Sequence, residues 1–90
     1  MLLNIHGKNF EVTHAMKEHC LHKLSNLQKY FAQNSELDAR VLVKVYNEYH
    51  KVEVTVETPV GLLRSETKAY DFYAALDIAI DKLEDQIRRQ

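Results

Sequence analysis

The residues of this chain that could do chemistry begin with five histidines and one cysteine, Cys20. His19 and His22 are three positions apart, a spacing at which two imidazoles on one helix can approach the same metal ion. No cysteine pair, H-E-x-x-H motif or carboxylate partner accompanies them, and a structural zinc site needs four ligands. We therefore expect solvent-facing histidines and no metal site.

Neither the cysteine nor the acidic residues form a catalytic pattern. Cys20 lies within an apolar stripe, whereas a reactive thiol needs exposure and a positive neighbour, so we expect a small buried residue. Asp77, Asp81 and Asp85 recur every four residues, which is typical of a solvated helix face. The chain has only two glycines and no phosphate-binding glycine loop or G-x-S-x-G motif. The sequence indicates no enzyme, and we expect no cofactor and no small-molecule substrate.

Positive charge is the remaining chemistry, because lysines and arginines can bind phosphates. The chain has 12 Lys and Arg against 13 Asp and Glu, so a nucleic-acid surface would have to be local. Basic residues lie toward the ends of both predicted helices: Lys23 and Lys29 on the first, and Lys82, Arg88 and Arg89 on the last. If the helices pack side by side, these side chains can form one cationic surface. By composition alone, routine solubility charge explains them better.

Two amphipathic helices are predicted to carry these residues. In the segment from Asp71 to Gln90, apolar residues recur at three- and four-residue steps, which places them on one side of a helix. Asp71 is expected to be its N-cap. Thr13 has the same expected role before a helix from His14 to about Phe31. The apolar positions of the two helices are Met16, Cys20, Leu24, Leu27 and Phe31, and Phe72, Leu76, Ala79, Ile80, Leu83 and Ile87.

Four segments alternate apolar and polar residues, as strands do. They are Leu2 to His6, Leu37 to Tyr46 (with Val45 inward), Lys51 to Thr58, and Leu62 to Ala69. Their outward residues carry both signs of charge. The order β-α-β-β-β-α predicts one α+β domain over residues 1–90. A right-handed crossover should make the first two strands parallel, with an antiparallel meander after them. Two helices would then cover one face of a four-stranded mixed sheet.

The chain shows no feature of a membrane or secreted protein. No apolar run approaches the roughly 20 residues that a membrane-spanning helix needs, and the N-terminal residues lack the pattern of a secretory signal. A single cysteine cannot form an internal disulfide. We expect a cytoplasmic protein with no membrane partner.

Several pieces of the sequence resemble the ribosome hibernation promoting factor family, whose members are also called ribosome-associated inhibitors or ribosomal subunit interface proteins. The C-terminal half matches in HKVEV (His50–Val54), Leu63-Arg64, DFYAALD (Asp71–Asp77) and DKLE (Asp81–Glu84). The N-terminal half matches in LNIHGKN (Leu3–Asn9) and LSNLQKYF (Leu24–Phe31). The likeness covers essentially the whole chain.

The resemblance implies a fold similar to a double-stranded-RNA-binding domain with an added strand, and a specific partner. Members bind the small ribosomal subunit at the decoding region, in the path of mRNA and tRNA, and inhibit translation in stationary phase or stress. Their contacts are chiefly basic side chains on rRNA phosphates. By position, the rRNA-binding candidates here are Lys23, Lys29, Lys82, Arg88 and Arg89, with Lys8 and Arg64 as weaker candidates.

The resemblance also includes departures. Asp85 stands where family helices often have a basic residue, and the sequence stops at Gln90 where they commonly continue into more lysines. The long forms carry an additional dimerisation domain, so this sequence is expected to be a short form or an N-terminal domain. Ribosome pairing would then need another factor or a missing domain. The alternative is a small protein-interaction module that pairs through its sheet face or an edge strand, without RNA.

Overall fold

A computed structural model describes residues 1–89, which form an α+β fold. Its elements are β1 (Leu2–Lys8), α1 (His14–Ser25), β2 (Asp38–Val45), β3 (His50–Thr58), β4 (Gly61–Ala69) and α2 (Phe72–Arg88). A short 3₁₀ helix, Asn26–Tyr30, follows α1 directly. The predicted order β-α-β-β-β-α is confirmed. No helix among these residues is both long enough and apolar enough to cross a membrane.

The four strands form one mixed sheet in the order β1-β2-β3-β4. β1 and β2 are parallel neighbours, as the predicted crossover requires, and β3 and β4 continue as an antiparallel meander. One register row joins Ile5, Val41, Val54 and Ser65 across the sheet. Residues of this row face the helices, and residues one position further along each strand face the opposite, open side.

The core lies between the sheet and the two helices. Its buried residues include Met16, Cys20, Leu24 and Leu27 from the first helical segment, Leu37, Ala39, Val41, Val43, Val52, Val54, Val56 and Leu63 from the sheet side, and Phe72, Ala75, Leu76, Ala79, Ile80 and Leu83 from α2. Burial raises the pKa of the Cys20 thiol to about 12. The expectation of a small buried residue at this position is confirmed by its complete burial.

Two details differ from the expectations. The first α-helix ends at Ser25, and the 3₁₀ helix continues to Tyr30. Because 3₁₀ winding aligns residues three apart, Tyr30 follows Leu24 and Leu27 toward the core, and both Tyr30 and Phe31 are partly buried against it. Val45, expected to face inward, is 40% exposed because it is the last residue of β2 and lies at the margin of the sheet.

Helix α2 is fixed to the sheet by polar as well as apolar contacts. The Asp71 carboxylate accepts a hydrogen bond of 2.8 Å from the Ala74 N–H, which confirms the predicted N-cap. The buried hydroxyl of Ser65 in β4 donates to the Ala79 carbonyl at 2.8 Å. Since both residues are small, the strand and the helix can approach closely at this point.

The open side of the sheet carries ion pairs between neighbouring strands. Lys51 Nζ lies 2.8 Å from Glu66 Oε1, and this contact lowers the pKa of Glu66 and raises that of Lys51. Glu53 contacts both Lys44, at 3.5 Å, and Arg64, at 3.2 Å. These pairs are partly solvated, so each is expected to contribute little to the free energy of unfolding.

We predict that Asp71→Ala lowers the free energy of unfolding by about 1 kcal/mol, because the first turn of α2 loses its side-chain acceptor. Asp81→Ala is the matched control, since Asp81 is exposed on the same helix and has the same charge. Urea unfolding followed by circular dichroism measures both variants. Equal unfolding midpoints for the two variants would show that the cap does not stabilise the helix.

We also predict that the pKa of the Glu66 carboxyl is below the ordinary glutamate range. The substitution Lys51→Gln should return the pKa of Glu66 toward that range. Because the folded-state pKa is lowered, the stabilisation by this pair is present above the unfolded-state pKa. It is lost as the pH falls through the folded-state pKa. Carboxyl NMR titration measures the midpoint, with Lys17→Gln as the control for charge removed away from the sheet. A midpoint that is the same in all three proteins would contradict the assignment.

Candidate nucleic-acid interface

The two helices lie side by side and meet along a polar seam. His19 Nε2 lies 3.3 Å from Asp77 Oδ1, and the Tyr30 hydroxyl donates to Glu84 Oε2 at 2.6 Å. Tyr30 belongs to the 3₁₀ helix that continues α1, and the contacts advance along this segment as they advance along α2, so α1 and α2 run in the same direction. The hydrogen bond to Glu84, together with burial, raises the pKa of Tyr30.

Lys23 and Arg88 lie along this seam, and both face carboxylates. Lys23 Nζ is 3.8 Å from Asp77 Oδ1. Arg88 Nη2 is 2.9 Å from Asp85 Oδ1, and its Nη1 is 3.7 Å from Glu84 Oε2. The contact with Asp85 raises the pKa of Arg88 further. Both cations must therefore share their charge with acidic neighbours or turn away from them to reach a phosphate.

Lys29 and Arg89 are different, because both are exposed and neither forms an ion pair with another residue in the range 1–89. Lys29 Nζ lies 5.3 Å from the centroid of the Tyr30 ring, a cation–π contact that leaves the ammonium solvated. Arg89 is the C-cap residue of α2. Of the helix-borne candidates, these two are the most available to an anionic partner.

Lys82 lies on the other flank of α2, beside β4. Its Nζ donates to the Glu66 carbonyl at 3.1 Å, and Gln86 Nε2 donates to the Arg64 carbonyl at 2.8 Å. Because β4 is an edge strand, these side chains occupy carbonyls that another strand would otherwise use. Lys82 and Gln86, four residues apart, lie on the same flank of α2, and that flank faces the sheet edge rather than α1.

Lys8 and Arg64 lie on neither helix and occupy the open side of the sheet. Arg64 Nη2 is 3.2 Å from Glu53 Oε1. Lys8 is exposed at the end of β1, one residue before Asn9, whose φ of 54° turns the chain away from the strand. Asn tolerates this left-handed conformation better than most residues do.

The prediction that the helix-borne cations form one surface does not extend to Lys82, whose side chain contacts the β4 edge. Lys23 and Arg88 lie in the seam between the helices, and Lys8 and Arg64, which belong to neither helix, lie on the open side of the sheet. Positions 82 and 88 on one helix differ by about 120° in direction, so they cannot face the same neighbour. Residue spacing shows which flank each side chain occupies, but the neighbour on that flank is a property of the packing.

The register of the sheet brings together another set of basic residues. Each strand contributes one lysine to a single row across the open side, here called the lysine row: Lys8, Lys44, Lys51 and Lys68. Alternation within single strands indicates only mixed charge on this side. The feature of the sequence that indicates this alignment is the length of the loops. The short loops between β2, β3 and β4 fix which residues of these strands lie opposite each other.

The histidines form no metal site in the part of the chain that is described. No group of three or more His, Cys, Asp or Glu side chains between residues 1 and 89 is arranged to hold an ion. His19 instead packs against the Tyr73 ring, with centroids 4.9 Å apart.

Residues 3–90 match the family described as "Sigma 54 modulation protein / S30EA ribosomal protein". The chain is 44% identical over 90 residues to the ribosome hibernation promotion factor of Bacillus subtilis (strain 168), an alignment that covers 99% of this chain and 48% of that protein. It is 42% identical over 87 residues to the protein of the same name from Lactococcus lactis subsp. cremoris, covering 96% of this chain and 47% of the relative. The chain thus spans about half the length of these relatives.

Solved structures agree with the sequence matches. The N-terminal domain of Thermus thermophilus Protein Y has a TM-score of 0.90 and 36% identity to this chain, covering 99% of this chain and 98% of that one. A ribosomal subunit interface protein from Coxiella burnetii has a TM-score of 0.84 at 19% identity, covering 99% and 96%, which shows a shared fold. These findings confirm the resemblance noted in the sequence, and the family is not an enzyme family. The chain belongs to the Sigma 54 modulation protein / S30EA ribosomal protein family, which includes the ribosome hibernation promotion factors.

Proposed function

We propose that this domain is a cytoplasmic ribosome hibernation factor. It binds the small ribosomal subunit at the decoding region, occupies the path of mRNA and tRNA, and inhibits translation in stationary phase or stress. The observation that carries the proposal is the match over 99% of the chain, at 44% identity, to a protein named ribosome hibernation promotion factor. Pairing of two ribosomes would require another factor or a further domain.

Inhibition is steric in this proposal. The sheet and helices enclose a continuous apolar core, and the folded body measures about 40 × 25 × 16 Å. A packed domain of this size cannot share its volume with an RNA strand. It needs no chemical step, only enough binding free energy to hold its position against mRNA and tRNA.

That binding free energy comes from cations on rRNA phosphates. Lys29 and Arg89 are the principal contacts, because they are exposed and free of ion pairs within residues 1–89. Lys82 contributes as well, since its ammonium has three donors and only one hydrogen bond, to the Glu66 carbonyl, is described. Lys23 and Arg88 contribute less, because each must exchange a carboxylate partner for a phosphate.

The structure disfavours one form of the alternative function, a protein-interaction module that pairs through a sheet edge. At the β4 edge, the carbonyls of Arg64 and Glu66 already accept hydrogen bonds from α2 side chains. A partner strand would have to displace both before it could extend the sheet. This favours the ribosome-binding proposal over pairing at that edge.

We predict that Lys29→Glu and Arg89→Glu each weaken co-sedimentation with purified small subunits, and that the double variant abolishes it at physiological salt. Each substitution replaces a phosphate-binding cation with a carboxylate, which the rRNA phosphates repel. Lys17→Glu is the matched control, because Lys17 is an exposed lysine of α1 outside the proposed contacts and undergoes the same change of charge. Circular dichroism is the check that each variant remains folded.

Binding of the unmodified domain should also weaken steeply as salt rises, because each neutralised phosphate releases counterions. If Lys17→Glu weakens pelleting as much as Arg89→Glu does, the effect is one of total charge and the proposed contacts are wrong. Salt-independent pelleting would equally contradict a phosphate-based interface.

A further inference from the structure

The lysine row is an arrangement that folding alone does not favour. Like charges directly opposite each other on neighbouring strands repel, and here one lysine follows another across all four strands. Strands lie about 4.8 Å apart, so the row extends for roughly 14 Å. An extended anion with several charges is the partner that such a row fits.

Glutamates pair with the two central members of the row, Lys44 with Glu53 at 3.5 Å and Lys51 with Glu66 at 2.8 Å, so these two lysines share their charge with acidic neighbours. The outer members, Lys8 and Lys68, are exposed and form no ion pair with any residue from 1 to 89. The adjacent register row contains Glu53 and Glu66, so an anionic chain bound over that row instead of the lysine row would be repelled.

Aromatic side chains accompany the lysines on the same side of the sheet. The rings of Tyr46 and Tyr49 are stacked, with centroids 4.7 Å apart and planes 26° from parallel. Lys68 Nζ lies 5.1 Å from the centroid of the Tyr49 ring. Tyr46 is 44% exposed. A further flat ring can therefore stack on this tyrosine pair.

An open hollow connects the two features. It has a volume of about 240 Å³ and is lined by Lys8, Asn9, Lys44, Val45 and Tyr46. Two lysines and one tyrosine thus border the same space. A phosphate beside an unpaired base presents the matching pair of groups, a negative charge and a flat face.

We propose that the lysine row and the Tyr46–Tyr49 pair bind single-stranded RNA across the open side of the sheet. The phosphates follow the lysines from strand to strand, and one base stacks on Tyr46. The partner is single-stranded because bases inside a duplex are already stacked and paired, and expose no free face to a tyrosine. This surface is on the opposite side of the sheet from the helices, and it does not depend on the proposed contacts with the small subunit.

The test uses the chain alone and fluorescence anisotropy with a short labelled oligouridine. Lys8→Gln with Lys68→Gln should weaken binding and reduce the slope of log affinity against log salt by about 0.7 for each lysine. Tyr46→Ala should weaken binding about tenfold, whereas Tyr46→Phe keeps the ring and should bind as the unmodified chain does. Lys17→Gln is the matched control for loss of one lysine on the helical side, and it should bind normally.

Two further measurements separate this proposal from its rivals. The Lys8→Gln single variant should be at least as stable to urea as the unmodified chain, because it removes like-charge repulsion. A loss of stability would show that this lysine serves the fold. The proposal is overturned if an RNA duplex or a glutamate-rich peptide binds as tightly as oligouridine or more tightly. It is also overturned if oligouridine does not bind, or if Lys17→Gln loses as much affinity for oligouridine as the lysine-row variant does. Because no ribosome is present, these outcomes are independent of the pelleting experiment.

Discussion

The constraint on which this structure depends is that one side of the sheet must be buried across all four strands, because both helices pack on it. A slip of one residue in any strand would send its inward-facing side chains to solvent and its charged residues into the core. The row Ile5, Val41, Val54 and Ser65 is thus fixed by burial. The same register also fixes which charges align on the other side, so the lysine row is set by packing that involves none of its members.

Helix α2 turns this sheet into a closed domain. Its apolar side covers the inner face, and the contact between Ser65 and Ala79 brings strand and helix close together. On one flank it meets α1 through Asp77 and the 3₁₀ helix through Glu84. On the other flank, Lys82 and Gln86 occupy carbonyls of the β4 edge. Polar residues of α2 therefore have structural partners before any ligand arrives. This reduces the number of cations that are free to bind RNA.

Much of the fold could be predicted from local patterns. Alternation located the strands, three- and four-residue spacing located the helices, and Asp71 and Thr13 were identified as caps because side-chain capping is a local interaction. The crossover rule gave the parallel pairing of β1 and β2. The early end of α1 was not predicted, because α and 3₁₀ winding both place Leu24 and Leu27 on one face.

The candidate interface was less predictable, for a physical reason. Residue spacing gives the direction of a side chain from its own helix, but not what lies in that direction. Lys23 faces a carboxylate of the other helix, and Lys82 faces a strand edge, because of how the elements pack. Arg88 instead pairs with Glu84 and Asp85 of its own helix, which its spacing from them allows. The lysine row required alignment of four strands. Function was indicated by resemblance rather than by composition, since the chain carries a formal net charge of only -1.

The central claim is that a nearly neutral domain binds RNA through a few exposed cations, which lie on the helical side and on the open side of the sheet. Acetylation of lysines by a water-soluble reagent, read by mass spectrometry, measures this directly when it is run with bound small subunits and, separately, with bound oligouridine. The account predicts that small subunits protect Lys29 on the helical side and that oligouridine protects Lys8 and Lys68 on the open side, while Lys17 remains reactive in both experiments. Protection of Lys17 to the same degree, or unchanged reactivity of all four, would contradict it.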